Sequence, residues 1–398
     1  MRRSSFDNAP AVIETLAVGD YRSLRELVLG LHPLTLITGP NGSGKSNVYR
    51  ALRLLASTAQ GQLLPSLARE GGLPSTLWAG PGQPSRAVRA GDHPVQGTTR
   101  NRVVSLRLGF SSDTFSYAID LGLPTPSSSA FGRDPEIKRE VIWTGPQFRQ
   151  AALLVDRKGG IVLARDSSGE FDVVQQDLAT FDTMFTHAID AQRAPEVLLL
   201  REQMRGWRFY DQLRTDRDAP ARRPQIGTYM PVLDDEGASL AAALQTIDEI
   251  GDRRALRAAI DDAFPGATLE IVSNDGVFET TLRQHGILRP LRATELSDGT
   301  LRYLLLVAAL LTPRPPRLLV LNEPETSLHP DLLPALGRLI VATALSAQII
   351  VVSHAPGLID ALASEPACHL VALDKQHGET VVTNVPWQER PGWKWPTR

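Results

Sequence analysis

Eight consecutive residues, Gly39-Pro40-Asn41-Gly42-Ser43-Gly44-Lys45-Ser46, fit the pattern G-x-x-x-x-G-K-[ST] at every position. Glycines at these places permit backbone conformations that turn several N–H groups toward one point, which is what a chain of phosphates needs. The helix that follows aims its positive end at the same place. In such a loop Lys45 reaches the β- and γ-phosphates of a nucleotide and Ser46 Oγ ligates Mg²⁺. A second stretch, "RLLVLNEPETSLHP", runs from an aliphatic segment into Asn322, Glu323 and Glu325. Glu323 directly follows the segment and is the candidate general base, polarising water for in-line attack on a γ-phosphate. Asn322 stands where an aspartate normally holds a Mg²⁺-bound water. Its amide oxygen still accepts that bond but brings no charge, so Mg²⁺ is expected to rest mainly on Ser46 and the phosphates.

Two further segments carry chemistry only in company. "LSDGT", from Leu296 to Thr300, opens the apolar run "LRYLLLVAALL". Ser297 is a good N-cap, and Gly299 lets the backbone approach a ligand closely. "QIIVVSH" reads as a buried strand ending in Ser353-His354.

The elements that must position these residues follow from periodicity. "AVIETLAV" and "RELVL" read as strands around the turn "GDYRS", and "LTLIT" is a short buried strand leading into the phosphate loop. "NVYRALRLLAS" is helical. Residues 60–100 are rich in Gly, Pro and Ser and read as loop. A β-rich block follows, "VVSLRLGF" through "FDVVQQ", with hairpin signals at "RKGG" and "SSGE". Residues 195–262 read as mainly helical, broken by "DAPARRPQ". "TLEIVSNDGVFETTLRQ" is a hairpin turning at Asn274-Asp275-Gly276. The last third alternates helix and strand, the rhythm of a parallel sheet.

Composition narrows the classes. The chain has 398 residues, net charge −2 and a single cysteine, Cys368. A near-neutral balance announces no global field for nucleic acid, and one cysteine excludes an internal disulfide or a cysteine-based metal cage. The start, "MRRSSFDNAP", lacks the apolar run of a secretory signal. "YLLLVAALL" is about half the length of a membrane span. The expectation is a cytoplasmic protein with no membrane partner. No heptad run is long enough for a coiled coil.

The order phosphate loop, LSDGT, acidic strand, strand-His resembles the ABC-type ATPase heads, and within them the SMC, RecF and OLD-like branch. "GPNGSGKSN", "LSDGT" in place of LSGGQ, "NEPETSLHP" and "VVSHAP" carry the resemblance, which covers roughly residues 11–60 and 290–375. It is also similar to bacterial AAA/RecF-like "predicted ATPase" proteins. The resemblance implies an α/β P-loop NTPase with a mostly parallel core sheet. Residues 1–60 and 290–398 would form the ATPase core, and 61–289 a β-rich and helical lobe inserted between phosphate loop and signature.

Site roles follow from the same resemblance. Gly39 to Asn47 bind ATP, and Ser297, Asp298 and Gly299 contact the γ-phosphate held by a second protomer. Glu323 is the base, His354 senses the γ-phosphate, Lys45 assists catalysis, and Ser46 and Asn322 serve Mg²⁺. Ser327, Leu328 and His329 match a loop that crosses the interface of an ATP-clamped homodimer. Tyr21 or Arg22 would contact adenine or ribose. The glutamine loop of such heads has no assignment among Gln62, Gln83 and Gln96.

The implied function is slow ATP hydrolysis in DNA repair, recombination or phage defence, with DNA and a partner nuclease or effector protein as binding partners. The alternative is a binding switch with negligible hydrolysis, because Asn322 weakens the metal site. A transporter subunit is disfavoured by the roughly 250 residues between Lys45 and Ser297. Only 44 residues follow His354, too few for the TOPRIM domain of OLD proteins, so nuclease activity is expected from a partner. Seven arginines lie between Arg201 and Arg223, interleaved with Trp207, Phe209 and Tyr210. They read as internal pairing first and a base-stacking surface second. The tail, with Trp387, Trp393 and Trp395, is expected to dock on its own domain.

Overall fold

Leu318–Asn322 and Gln348–Val352 are buried at every residue, and strands buried on both faces belong to parallel sheets covered by helices. A computed structural model describes residues 13–80, 104–126, 128–187 and 191–398. In chain order its first elements are β1 (Thr15–Tyr21), β2 (Leu24–Gly30), β3 (Leu34–Thr38), α1 (Lys45–Ala59), α2 (Leu63–Arg69) and α3 (Leu73–Thr76). The β-rich block supplies β4 (Leu106–Ser111), β5 (Ser116–Gly122), β6 (Glu136–Trp143), β7 (Leu153–Lys158), β8 (Ile161–Arg165) and β9 (Phe171–Gln175). Then come α4 (Pro195–Arg205), β10 (Arg208–Tyr210), β11 (Gln225–Ile226), α5 (Leu240–Ile250), α6 (Arg253–Ala263), β12 (Thr268–Asn274), β13 (Val277–Arg283) and β14 (Leu291–Arg292). The last are α7 (Asp298–Leu310), β15 (Leu318–Asn322), α8 (Leu333–Thr343), β16 (Gln348–Val352), α9 (Pro356–Ala363), β17 (Cys368–Gln376) and β18 (Glu379–Val382).

Two expectations are corrected. The stretch 60–100 is not all loop, because α2 and α3 lie in it, Leu63, Leu67 and Leu73 being buried; its residues from 81 on lie outside the described ones. The segment 195–262 is not continuously helical: β10 and β11 interrupt it, drawn into sheets by tertiary pairing that propensity does not register.

The elements fall into two units. One comprises Pro33–Thr38 and Arg208–Leu370; the other comprises the stretch ending at His32 with Gly39–Trp207 and Val371–Arg398. Residues 208–289, expected in the inserted lobe, thus cluster with the signature and acidic strand.

The first unit holds parallel strands in the order β10, β15, β16, β3. Their register is level at the carboxyl end: Tyr210 pairs with Leu321, Asn322 with Val352, and Val352 with Ile37. The residues that follow each strand therefore emerge side by side. Helix α7 is apolar nearly all round and buried through Leu301–Leu310, as the inner helix of such a layer must be. A small antiparallel sheet of β11, β13, β12 and β14 completes the unit. Its β12–β13 hairpin turns as expected, with Asp275 and Gly276 both left-handed at φ 49° and 74°.

The second unit is built on an eight-stranded antiparallel sheet, β2-β1-β4-β5-β6-β7-β8-β9. Helix α1 buries eleven of its fifteen residues. The tail docks on this unit: the Trp393 ring lies 5.7 Å from that of Trp143, and Arg398 pairs with Asp120 at 2.8 Å. Trp387 stays exposed.

Candidate active site

In the second unit the loop from Gly39 to Ser46 has the conformation its glycines predict. Gly39, Gly42 and Gly44 have φ of 149°, 81° and 104°, and Gly44 caps α1, whose first residue is Lys45. Two of these glycines are required by their neighbours as well as by φ. A Cβ on Gly44 would stand 2.0 Å from Thr380 Oγ1, and one on Gly39 would stand 2.1 Å from the Leu373 carbonyl oxygen. Lys45 is buried and its ammonium donates to the Gly39 and Pro40 carbonyls at 2.6 and 3.0 Å. It therefore sits over the loop it is expected to serve. Ser46, Pro40, Asn41 and Gly42 are exposed.

A relay of hydrogen bonds that motif reading missed fixes this loop. Asn47 Nδ2 donates to Ser23 Oγ at 2.8 Å, Ser23 Oγ lies 2.7 Å from Thr380 Oγ1, and Thr380 Oγ1 donates to the Ser43 carbonyl at 2.8 Å. Asn47, expected at the nucleotide, thus has a second, local task. Tyr21 is not free to meet a base. It is buried, and its hydroxyl donates to the Glu70 carboxylate at 2.8 Å, a pair that Arg22 joins at 2.7 Å. Burial and the adjacent carboxylate hold the phenol well above its ordinary range.

In the first unit the level strand ends bring the acidic residues together with the histidine. Glu323 N–H donates to the Val352 carbonyl at 2.8 Å, and Ser353 N–H to that of Ile37 at 3.1 Å. The side chain of Glu323 remains 37% exposed, with His354 Nδ1 at 3.6 Å from its Oε1. Its backbone is left-handed, φ 47°, an unusual state for a non-glycine residue. Glu325 has a different role. It is buried, and its Oε1 accepts from Ser353 Oγ, His354 N and Ala355 N at 2.8, 3.0 and 3.2 Å. His354 Nδ1 is also 3.5 Å from that oxygen. Glu325 thus fixes the segment that carries His354.

Asn322 has a partner the sequence did not suggest. Its Nδ2 donates to Asp211 Oδ1 at 2.9 Å, across the β10–β15 edge, while its buried Oδ1 has no partner among the described residues. Asp211 follows β10 directly, and exposed Gln212 comes next. The orphaned amide oxygen at the strand end is an acceptor suited to a Mg²⁺-bound water. Among the described residues no three His, Cys, Asp or Glu side chains could hold a metal ion by themselves. Of the glutamines weighed for the glutamine loop, Gln62 is the exposed residue before α2. Gln83 and Gln96 lie outside the described residues.

The signature segment is built as a cap. Ser297 Oγ accepts from Thr300 N at 3.1 Å and is exposed. Asp298 receives Arg222 Nη2 at 2.7 Å; the same buried guanidinium donates to the Ala293 and Leu296 carbonyls at 2.8 Å. A Cβ on Gly299 would approach the Ser327 carbonyl to 2.9 Å, so this glycine also packs against the segment Ser327 to His329 of its own chain. Arg302 of α7 is buried and donates to the carbonyls of Leu213, Asp211 and Glu323 at 2.8, 3.2 and 3.4 Å. Burial pulls its guanidinium below the usual range, with the nearby carboxylates opposing. The basic-aromatic stretch splits as expected: Trp207, Phe209 and Tyr210 are buried, and Arg214 pairs with Asp216 at 2.7 Å.

Comparison with known proteins accords with this arrangement. A family model described as "AAA domain, putative AbiEii toxin, Type IV TA system" matches residues 34–360. An SMC head solved in complex with the C-winged helix domain of ScpA has TM-score 0.50 and 13% identity, over 95% of this chain and 99% of that one. The SMC head domain from Thermotoga maritima has TM-score 0.47 and 14% identity, over 94% and 99%. No curated protein matches. The SMC-head likeness is one of fold, an α/β ATPase head, with no long coiled coil among the described residues. Nor is any described helix long and apolar enough to cross a membrane.

Proposed function

The chain belongs to this AAA-domain family, and from that premise we propose that it binds ATP through Gly39 to Asn47 and hydrolyses it slowly. The observation that carries the reading is the level end of the parallel sheet. Asn322, Glu323 and Ser353-His354 emerge there beside Ile37, two residues before the phosphate loop begins. Glu323 accepts the proton of the attacking water, and His354, with Nδ1 within 3.6 Å, senses the γ-phosphate and orients that carboxylate. Lys45 exchanges its two loop carbonyls for phosphate oxygens. Ser46 Oγ and Asn322 Oδ1 would hold Mg²⁺ and its water. When bound, the ion neutralises charge on the phosphates.

Ser297, Asp298 and Gly299 meet the nucleotide of a second protomer in an ATP-dependent homodimer. DNA, and a nuclease or effector protein, are the further partners in this reading. It places the chain in DNA repair, recombination or phage defence, the family's toxin description favouring defence. Phosphate release and ATP binding by the wild type, Lys45→Ala and Glu323→Gln test it. Lys45→Ala should abolish binding, and Glu323→Gln should keep binding while lowering turnover about 100-fold or more. Unchanged turnover in Glu323→Gln would remove the base assignment.

A further inference from the structure

We propose that Asp211 supplies the negative charge missing from position 322, so that Asp211 and Asn322 together form the acidic position of the magnesium site. The inference deepens the ATPase reading and rests on it. Three observations support it. The register that pairs Tyr210 with Leu321 sets Asp211 beside Asn322 at the same sheet edge. Asn322 Nδ2 donates to Asp211 Oδ1 at 2.9 Å. And Asn322 Oδ1, on a residue only 8% exposed, is left without a partner among the described residues.

Chemistry explains why these belong together. An ionised carboxylate only accepts hydrogen bonds, so it fixes which way the neighbouring amide lies. The Nδ2 must face Asp211, and Oδ1 is thereby held pointing away as an acceptor. A buried acceptor without a partner is costly, and that cost is recovered when a donor such as a metal-bound water arrives. Asp211 then does two things: it orients the neutral oxygen that receives the water, and it supplies a negative charge one hydrogen bond away. Residues that orient metal-site groups from behind in this manner commonly change metal affinity by roughly 10- to 100-fold when replaced. Asp211 is therefore a positioning residue. Its backbone carbonyl is also held, by Arg302 Nη2 at 3.2 Å, which anchors the strand end from which it projects.

The same contact alters what the obvious substitution means. Asn322→Asp alone sets two acceptor-only carboxylates against each other and removes the Nδ2 donor by which Asp211 orients its neighbour. It should therefore not strengthen metal binding. Only the exchange Asp211→Asn with Asn322→Asp keeps one charge and one amide.

The test is ATP affinity of the full chain by calorimetry, in EDTA and then in Mg²⁺, with thermal melting of each variant as a fold control. Binding in EDTA reports the phosphate loop, and the gain on adding Mg²⁺ reports the acidic position. Asp211→Asn should leave binding in EDTA unchanged and cut the Mg²⁺-dependent gain about tenfold or more. The double exchange should restore most of it, and Asn322→Asp alone should not raise it. An undiminished gain in Asp211→Asn, or a double exchange no better than Asp211→Asn, overturns the inference while leaving the ATPase reading intact. Absence of ATP binding by the wild type in both conditions overturns the ATPase reading, and the inference falls with it.

Discussion

Glu323 carries two burdens that a substitution can separate. Its side chain faces His354, and its backbone is held at φ 47° by the turn from β15 into the Ser327 segment. A left-handed residue with a Cβ costs about 1 kcal/mol or more, which glycine does not. Glu323→Gly should therefore keep or raise thermal stability by up to about 1 kcal/mol while abolishing ATP turnover. A scanning-calorimetry melt beside a phosphate-release assay reads both. A large fall in melting temperature would instead make Glu323 a structural residue, stabilising its turn through side-chain contacts. Glu325, two residues on, marks the contrast. Its three acceptor contacts with Ser353, His354 and Ala355 are those of a brace. The two acidic residues are thus divided by burial and by hydrogen-bond partners.

At the scale of elements, the β17–β18 hairpin is what turns a glycine-rich loop into a fixed cradle. Thr380 ties the loop to the β1–β2 turn: its Oγ1 donates to the Ser43 carbonyl of the loop and joins Ser23 Oγ, and its N–H donates to the Ser23 carbonyl at 2.8 Å. Thr380→Val keeps the shape beside Gly44 and removes the hydroxyl. We expect ATP affinity to fall about 5- to 10-fold through loss of pre-organisation, with a melting temperature close to wild type because one neutral hydrogen bond contributes only about 1 kcal/mol. Unaltered affinity, measured by calorimetry, would show that the glycines suffice. This hairpin also shows what the sequence could and could not disclose. The phosphate loop, the signature cap and the acidic strand were legible because their chemistry is contiguous and each obeys a local rule. The hairpin turn at Asp275-Gly276 was legible for the same reason. Thr380 stands 357 residues from Ser23, and Asp211 stands 111 from Asn322; no spacing rule links such pairs. β10 went unread because three residues are too few to show a period. α2 was hidden by the glycines and prolines around it, although Leu63 and Leu67 carry the spacing of a buried helical face. Tyr21, weighed with Arg22 for adenine or ribose, gave no hint in the sequence that a glutamate 49 residues away accepts from its hydroxyl.

For the whole molecule, the decisive question is whether one chain completes its own site. Ser297 is exposed, and among the described residues its hydroxyl is engaged by Thr300 of the following helix, accepting the N–H at 3.1 Å and lying 2.9 Å from Oγ1. Asp298 has 60% of its side chain exposed while Arg222 holds it in place. A segment so braced, yet facing solvent, is accessible to a further surface. In the dimer reading that surface is the nucleotide of a second copy, and two such contacts close a two-fold clamp. Glu323→Gln, which should bind ATP without clearing it, is the background on which to look. With ATP and Mg²⁺ its mass by light scattering should double, and without nucleotide it should not. Adding Ser297→Arg places a bulky cation at the contact. It should return the mass to that of a monomer while ATP binding stays within about twofold, and the lost N-cap should cost about 1 kcal/mol in stability. A mass indifferent to ATP, or a dimer that survives Ser297→Arg, would mean the signature segment serves its own chain, and that the packing of Gly299 against the Ser327 carbonyl is its whole purpose.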